Sequence, residues 1–291
     1  MKKTYFALAL VFVLAFAVNS FAIPSTFGSH FKTWMSSNGY GSAFPEGGFG
    51  GTSAAPAAVK QVVVFVHGNG ALAQGNTGDP NGWIKTYDYL KTQGWKDGEL
   101  YAINYAYNTP TMAIYNDHSS ARVTKVQKFI QAVYSYTGKQ VNVIAHSLGC
   151  TLTRKAMKNG NLYSKVRTFV SISGGNHGLS TCGYWYLGVY YCVANATCGY
   201  SAGLCNYPYG SDSSVFIRAL NSSTYGDNEM QGKTTRTYVI RSYVDEICLT
   251  ITTPALLGAY KTQTYSVAPY GHFGCKDWTS SVQKQMIDWT F

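Results

Sequence analysis

Gln61-Val-Val-Val-Phe-Val66 is a continuous apolar run rich in β-branched residues, and it stops at His67-Gly-Asn-Gly70. A run without polar alternation is buried on both faces, which predicts a central parallel strand. Trp83, Tyr87 and Leu90 then recur at helical spacing, with Gly94 placed to stop that helix. Glu99 to Tyr107 predicts the next strand. Val123, Val126, Ile130 and Val133 predict an amphipathic helix that Gly138 can end. Val141-Asn-Val-Ile-Ala145 predicts a strand, and Leu148, Leu152 and Ala156 continue it as a helix closing near Asn159-Gly160. Val166 to Ser173, Thr235 to Ser242 and Thr262 to Ala268 are further strand candidates. Trp278, Val282, Met286 and Trp289 lie on one last helical stripe, with Asp277 as its expected N-cap.

Such alternation implies parallel strands joined by right-handed crossovers, with helices on both faces of a mostly parallel sheet. In this α/β class the reactive loops lie at the carboxyl ends of the strands. Two stretches break the pattern. Ile23 to Lys60 has no clear period and is expected to wrap the surface. Asn176 to Ser214 is too long for an ordinary connection, and its cysteines and tyrosines argue for an ordered insertion.

The amino terminus changes the picture of the compartment. Lys2 and Lys3 precede an unbroken apolar run of 14 residues, 5 to 18, and Ser20-Phe21-Ala22 offers small residues for cleavage. The run is short for a membrane span, so residues 1–22 read as a removable signal peptide of a secreted protein. The remaining residues, 23–291, contain no repeat or linker, which predicts one catalytic domain carrying the insertion 176–214. Without Lys2 and Lys3 the cations fall from 23 to 21 against 13 acids, a net charge of +8. The charge is scattered rather than gathered on one element, which argues against a nucleic-acid partner. Seven cysteines in a secreted chain predict disulfides with one thiol left over. Cys182, Cys192, Cys198 and Cys205 crowd together and allow three pairings. Cys150 is the expected odd thiol, and Asn195-Ala-Thr197 and Asn221-Ser-Ser223 are glycosylation sequons.

The chemistry centres on Ala145-His-Ser-Leu-Gly149, between a strand and a helix. A serine exposed on a sharp strand-to-helix turn needs small residues two positions before and after it. Gly149 meets that need, and Ala145 departs from the usual Gly by one methyl. The helix N-terminus favours the oxyanion that forms when Ser147 attacks a carbonyl. The backbone N–H of Leu148 is one candidate donor. His67-Gly-Asn-Gly70 supplies the other, with the N–H of Asn69 chosen.

The remaining partners are expected in the order Ser, acid, His. His177 precedes every plausible acid, which leaves His272 in Tyr270-Gly-His-Phe-Gly274 as the base. Asp245, just after a strand, is the preferred acid, with Glu246 its rival; Asp212 and Asp227 sit in turn-like surroundings. Asp245 would fix the tautomer of His272 and stabilise its charged form. If those loops meet, Cys248 and Cys275 could bridge and pin them together. The six histidines are scattered, and no His or Cys pairs fall at zinc-ligand spacings, so no metal is expected.

With these residues in view, the sequence resembles the class 2 lipases, which include secreted nematode lipases and small secreted Bacillus lipases. The resemblance rests on Val64-Phe-Val-His-Gly-Asn69, Ala145-His-Ser-Leu-Gly149, Ser173-Gly-Gly-Asn-His-Gly-Leu179, Arg241-Ser-Tyr-Val-Asp245 and Tyr270-Gly-His-Phe-Gly274. The Ala in the elbow is found in the Bacillus members as well. The resemblance to the nematode-type members runs over most of residues 30–291. The resemblance implies an α/β-hydrolase fold, no cofactor, and hydrolysis of triacylglycerols or other carboxylic esters. Ser147, Asp245 and His272 match the triad positions of the family, and Asn69 and Leu148 its oxyanion-hole positions. The aromatic run Tyr184 to Tyr191 is then either a lid facing acyl chains or an oil surface, or a self-packed loop. A carboxylesterase or extracellular polyester depolymerase would use the same triad. A non-catalytic lipid-binding relative is the reading from a different class.

Overall fold

The computed structural model describes residues 21–187, 189–205, 214–221, 230, 232–256 and 258–291. The signal-peptide expectation therefore falls almost entirely outside the described residues, as do Asp212 and Asp227. A main sheet is formed by β1 (Gly48–Phe49), β2 (Val62–Val66), β3 (Leu100–Ile103), β4 (Val141–His146), β5 (Val166–Ile172), β8 (Arg236–Ser242) and β9 (Lys261–Tyr265). The strands β6 (Gly183–Tyr186) and β7 (Val189–Cys192) form a separate antiparallel ribbon. The main sheet has seven strands in the order β1-β3-β2-β4-β5-β8-β9, parallel except for the edge strand β1.

The two faces of the sheet follow from side-chain alternation. Val62, Val64 and Val66 point into a cluster closed by Val123, Val126 and Ile130 of α3 (Ser120–Thr137) and by Leu152 and Ala156 of α4 (Leu148–Gly160). Val63 and Phe65 point the other way, onto Tyr87 and Leu90 of α2 (Ile84–Thr92) and Met286 and Ile287 of α7 (Ser280–Asp288). All five residues of β2 are fully buried, as the run without alternation requires. Gly138, at φ +66°, ends α3 where expected.

Register decides where the loops meet. Val66 is opposite Ile103 on one side and Ala145 on the other, and His146 is opposite Ile172. The turns after β2, β4 and β5 therefore emerge side by side at the carboxyl end of the sheet.

Several expectations are corrected. The stretch 23–60 is not only surface wrapping: Phe31 and Met35 bury one side of α1 (Ser29–Ser37), and β1 extends the sheet. The final stripe is two helices, α6 (Gly274–Asp277) and α7, because the chain turns at Trp278. Thr279, not Asp277, flanks α7; Asp277 instead pairs with Lys276 and accepts from Asn81. Cys248 and Cys275 do not bridge, since each buried thiol turns to a different carbonyl, Ser173 O and Tyr270 O respectively.

The insertion carries two disulfides, Cys182–Cys198 and Cys192–Cys205, of the three pairings open to the sequence. Between them they fasten the ribbon to the loop that follows it. The ribbon itself hangs outward, with Leu187 at its turn 86% exposed. Cys150 is a free, buried thiol, but Cys248 and Cys275 are free and buried as well, so three thiols are left over where one was expected.

Candidate active site

Ser147 occupies the turn between β4 and α4 with φ +53° and ψ −125°. A non-glycine residue in that region costs on the order of 1–3 kcal/mol and persists only where its surroundings hold it. Its N–H donates to Ile172 O at 2.9 Å, which ties the elbow to the end of β5. Gly149 cannot carry a side chain, because a Cβ there would lie 2.3 Å from His67 O and 2.8 Å from Val66 O. The absence of that atom lets α4 start directly against the end of β2. Ala145 is fully buried, so its extra methyl is absorbed by packing and does not open the turn.

The His67-Gly-Asn-Gly70 turn closes on the same spot. A Cβ on Gly68 would stand 2.9 Å from His146 Nδ1 and 3.1 Å from Ser147 Cβ, so only glycine lets this turn approach the serine. His67 braces it from beneath: its Nδ1 donates to Gly68 O at 2.7 Å, and its ring stacks on Tyr105. Tyr105 in turn donates to His67 O at 2.8 Å. Burial pushes the His67 pKa down to about 4, only partly offset by the Gly68 bond, so the ring stays neutral.

Asp245 and His272 lie on separate loops that the fold brings together. His272 Nδ1 is 2.9 Å from Asp245 Oδ1 and 3.1 Å from Oδ2, and both residues are buried. Asp245 follows β8, and its Oδ1 also accepts the N–H of Cys248 at 2.8 Å and of Ile247 at 3.0 Å. Burial alone would raise the carboxyl pKa. The His272 hydrogen bond and charge, with the Cys248 amide, outweigh it and hold Asp245 well below the usual carboxylate range. An ionised Asp245 keeps a proton on Nδ1 and leaves the Nε2 lone pair of His272 for other work. Glu246, the rival acid, grips the backbone instead: its Oε2 accepts the N–H of His272 at 2.9 Å. Gly271 makes room for it, as a Cβ there would lie 2.6 Å from that oxygen.

His146 joins base to elbow. Its Nε2 donates to His272 O at 3.1 Å, and the two rings lie 4.8 Å apart, tethering the histidine loop to the residue before Ser147. Burial, then the charges of His272 and Lys276, hold its ring neutral. The ligand atoms of Asp245, Cys248 and His272 all lie within 4.8 Å of one another. His272 Nδ1 is spent on Asp245 and the Cys248 thiol on Ser173 O. His177 is engaged elsewhere: its N–H donates to Thr253 O, and burial lowers its pKa to about 4.

Sequence reading missed the support around Asn69. Asn116, fully buried, donates to Asn69 Oδ1 at 2.8 Å. A lone Asn in a loop without period carries no signal of such a role. Asn221, the first residue of one sequon, is buried with its amide committed both ways: Oδ1 accepts from Arg154 and Nδ2 donates to Asn176 O.

Residues 60–285 match the family described as lipase (class 2). Among solved structures the chain is similar to the Bacillus licheniformis lipase BlEst2. The mature form gives a TM-score of 0.51 at 14% identity, covering 81% of this chain and 94% of that one. The propeptide form gives 0.53 at 14% identity, covering 81% and 51%. Aspergillus fumigatus lipase B is matched at 20% identity with a TM-score of 0.49 over 72% of this chain, which spans 45% of that protein's length. Identities this low speak to fold alone, whereas the family match extends over most of the sequence and includes every residue discussed at the site. The chain belongs to the class 2 lipase family, and is built on the α/β-hydrolase fold.

Proposed function

We propose that this protein is a secreted triacylglycerol lipase that works through an acyl-enzyme on Ser147, with Asp245 and His272 completing the triad. The observation that carries the reading is the elbow: Ser147 is held at φ +53°, and the residue before it is tethered to a buried, hydrogen-bonded Asp245–His272 pair. Ser147 Oγ attacks the ester carbonyl carbon while His272 Nε2 takes its proton, and the carbonyl electron pair moves onto oxygen. The N–H groups of Leu148 and Asn69 stabilise that oxyanion; one such donor is typically worth about 2.7–4 kcal/mol. Collapse expels the alcohol, which takes the proton back from His272. Water then repeats the sequence on the acyl-enzyme and releases the fatty acid. Asp245 stays ionised throughout and stabilises the imidazolium.

A long-chain, water-insoluble substrate is supported by the insertion. Tyr184, Trp185, Tyr186, Leu187, Val189 and Tyr191 are all exposed on the β6–β7 ribbon. Residues 178–211 contain no charged side chain at all. Aromatic rings with polar tips favour a boundary between oil and water, so the ribbon is read as the face that meets a lipid surface. Two disulfides fit an oxidising, extracellular compartment. Among the described residues no helix is long and apolar enough to cross a membrane.

Hydrolysis of a p-nitrophenyl ester series and of emulsified triacylglycerol by wild type and Ser147→Ala tests the proposal. Wild-type rates that rise once droplets form, and vanish in the folded variant, are expected. Activity confined to short soluble esters would make the protein a carboxylesterase. Equal activity in the variant would remove Ser147 from the chemistry.

A further inference from the structure

Asn116 follows the turn Pro110–Tyr115, and its buried amide makes three hydrogen bonds. Its Oδ1 accepts the N–H of Tyr107 at 3.0 Å, while its Nδ2 donates to Tyr107 O at 2.9 Å and to Asn69 Oδ1 at 2.8 Å. This set has only one chemical solution. A backbone N–H can only donate, so the Asn116 oxygen must face Tyr107 N, and its nitrogen must then face Tyr107 O and Asn69. Asn69 is therefore obliged to present its carbonyl oxygen to Asn116. From behind, the Thr197 hydroxyl lies 2.7 Å from both Ala113 O and Asn116 O, so the insertion fastens the same turn.

The consequence lies at the site, where half-buried Asn69 follows Gly68, the residue whose turn closes on Ser147. Asparagine side chains readily turn back onto nearby backbone N–H groups. An unrestrained Asn69 carbonyl could accept the N–H groups that must stay free for the ester oxygen. We propose that Asn116 is a positioning residue for the oxyanion hole: it holds the Asn69 side-chain carbonyl away, keeping the backbone donors of the His67–Gly70 turn and of Leu148 open to the reacting oxygen. The inference rests on the acyl-transfer reading proposed for Ser147.

The test is a double-mutant cycle on a soluble p-nitrophenyl ester, read as kcat and KM separately. Binding of a trifluoromethyl ketone, which forms an oxyanion on Ser147, is measured in parallel. Asn116→Ala should lower kcat by about tenfold or more, less than the 10²–10³ typical for outright loss of a donor, with KM unchanged. Affinity for the ketone should fall by the same factor. In the Asn69→Ala background, where no carbonyl remains to misplace, adding Asn116→Ala should cost no further kcat. Asn69→Gln keeps a carbonyl but not the 2.8 Å contact, leaves the buried residue intact, and should reproduce the loss even if Asn116→Ala does not fold. An equal cost of Asn116→Ala with and without the Asn69 side chain overturns the proposal, as does an Asn69→Gln enzyme no slower than Asn69→Ala. Failure of the underlying reading is separable: wild type would then neither turn over the ester nor bind the ketone.

Discussion

Asp245 and Glu246 are adjacent acids, and their different partners give them different weights. Asp245 holds the ring of His272 from a buried position, whereas Glu246 is exposed and holds only its backbone N–H. Asp245→Asn should therefore lower kcat by roughly 10⁴-fold, as loss of the tautomer-fixing carboxylate does in other triads. Glu246→Gln preserves an acceptor oxygen and should cost less than about 1 kcal/mol in the barrier. Steady-state kinetics on one soluble ester decides between them, and a larger effect at Glu246 would reverse the assignment. The turn at Ser147 and the loop that carries His272 were legible because strand, small residues and flanking glycines occur in order along the chain. Asn116 was illegible because its role arises only where two loops distant in sequence meet. Glu246 was visible only as a rival acid; its grip on the His272 backbone depends on the space left by Gly271.

Lys276, on the four-residue helix α6, shows how an element too short to be stable alone is fixed by its surroundings. Its ammonium is buried between Asp79 at 3.0 Å and Asp277 at 2.7 Å, and it also donates to Gly82 O. This joins the histidine loop to the turn preceding α2. Burial raises the Asp79 pKa, and the Lys276 charge only partly counters it. Lys276→Ala would leave two carboxylates without their cation and should lower stability by about 3–5 kcal/mol in urea unfolding. The loss should shrink in mild acid, where Asp79 takes up a proton; a loss that is small, or independent of pH, would make the triad incidental to the fold. No hydropathy pattern announces such a triad, which is why one stripe was expected where there are two helices. The central strands were legible for the opposite reason: runs such as 62–66, buried on both faces, permit no polar alternation. The β6–β7 ribbon was read as an ordered loop but not as strands, since it leaves large apolar side chains exposed where strand patterning assumes a buried face.

The molecule as a whole carries neutral histidines in its interior, and this sets its response to acid. His67 is held at a pKa of about 4, by burial against its Gly68 bond. His118 is held at about 3, by burial against its Ala202 bond and the Asp117 charge. His118 stacks on Phe216 of α5 (Val215–Leu220), bonds Ala202 O in the insertion and contacts Thr151 Oγ1 at 2.6 Å, so it lies between the insertion and the first turn of α4. In the unfolded chain both rings titrate near 6.5. Between that value and the folded pKa the unfolded state binds protons that the native state refuses, so stability is full above about 6.5 and is lost as pH falls toward 4. Each ring can contribute a slope of up to about 1.4 kcal/mol per pH unit in that window. Asp245, whose folded pKa is depressed, acts in the same direction at lower pH: its contribution is present above the ordinary carboxylate range and is lost below it. His118→Phe removes one titrating ring while keeping an aromatic partner for Phe216. Its unfolding free energy should be lower at pH 7 but fall less steeply from pH 6.5 to 4. An unchanged slope in the variant would mean that His118 does not carry the acid sensitivity, and that the contact between insertion and elbow is insensitive to its protonation.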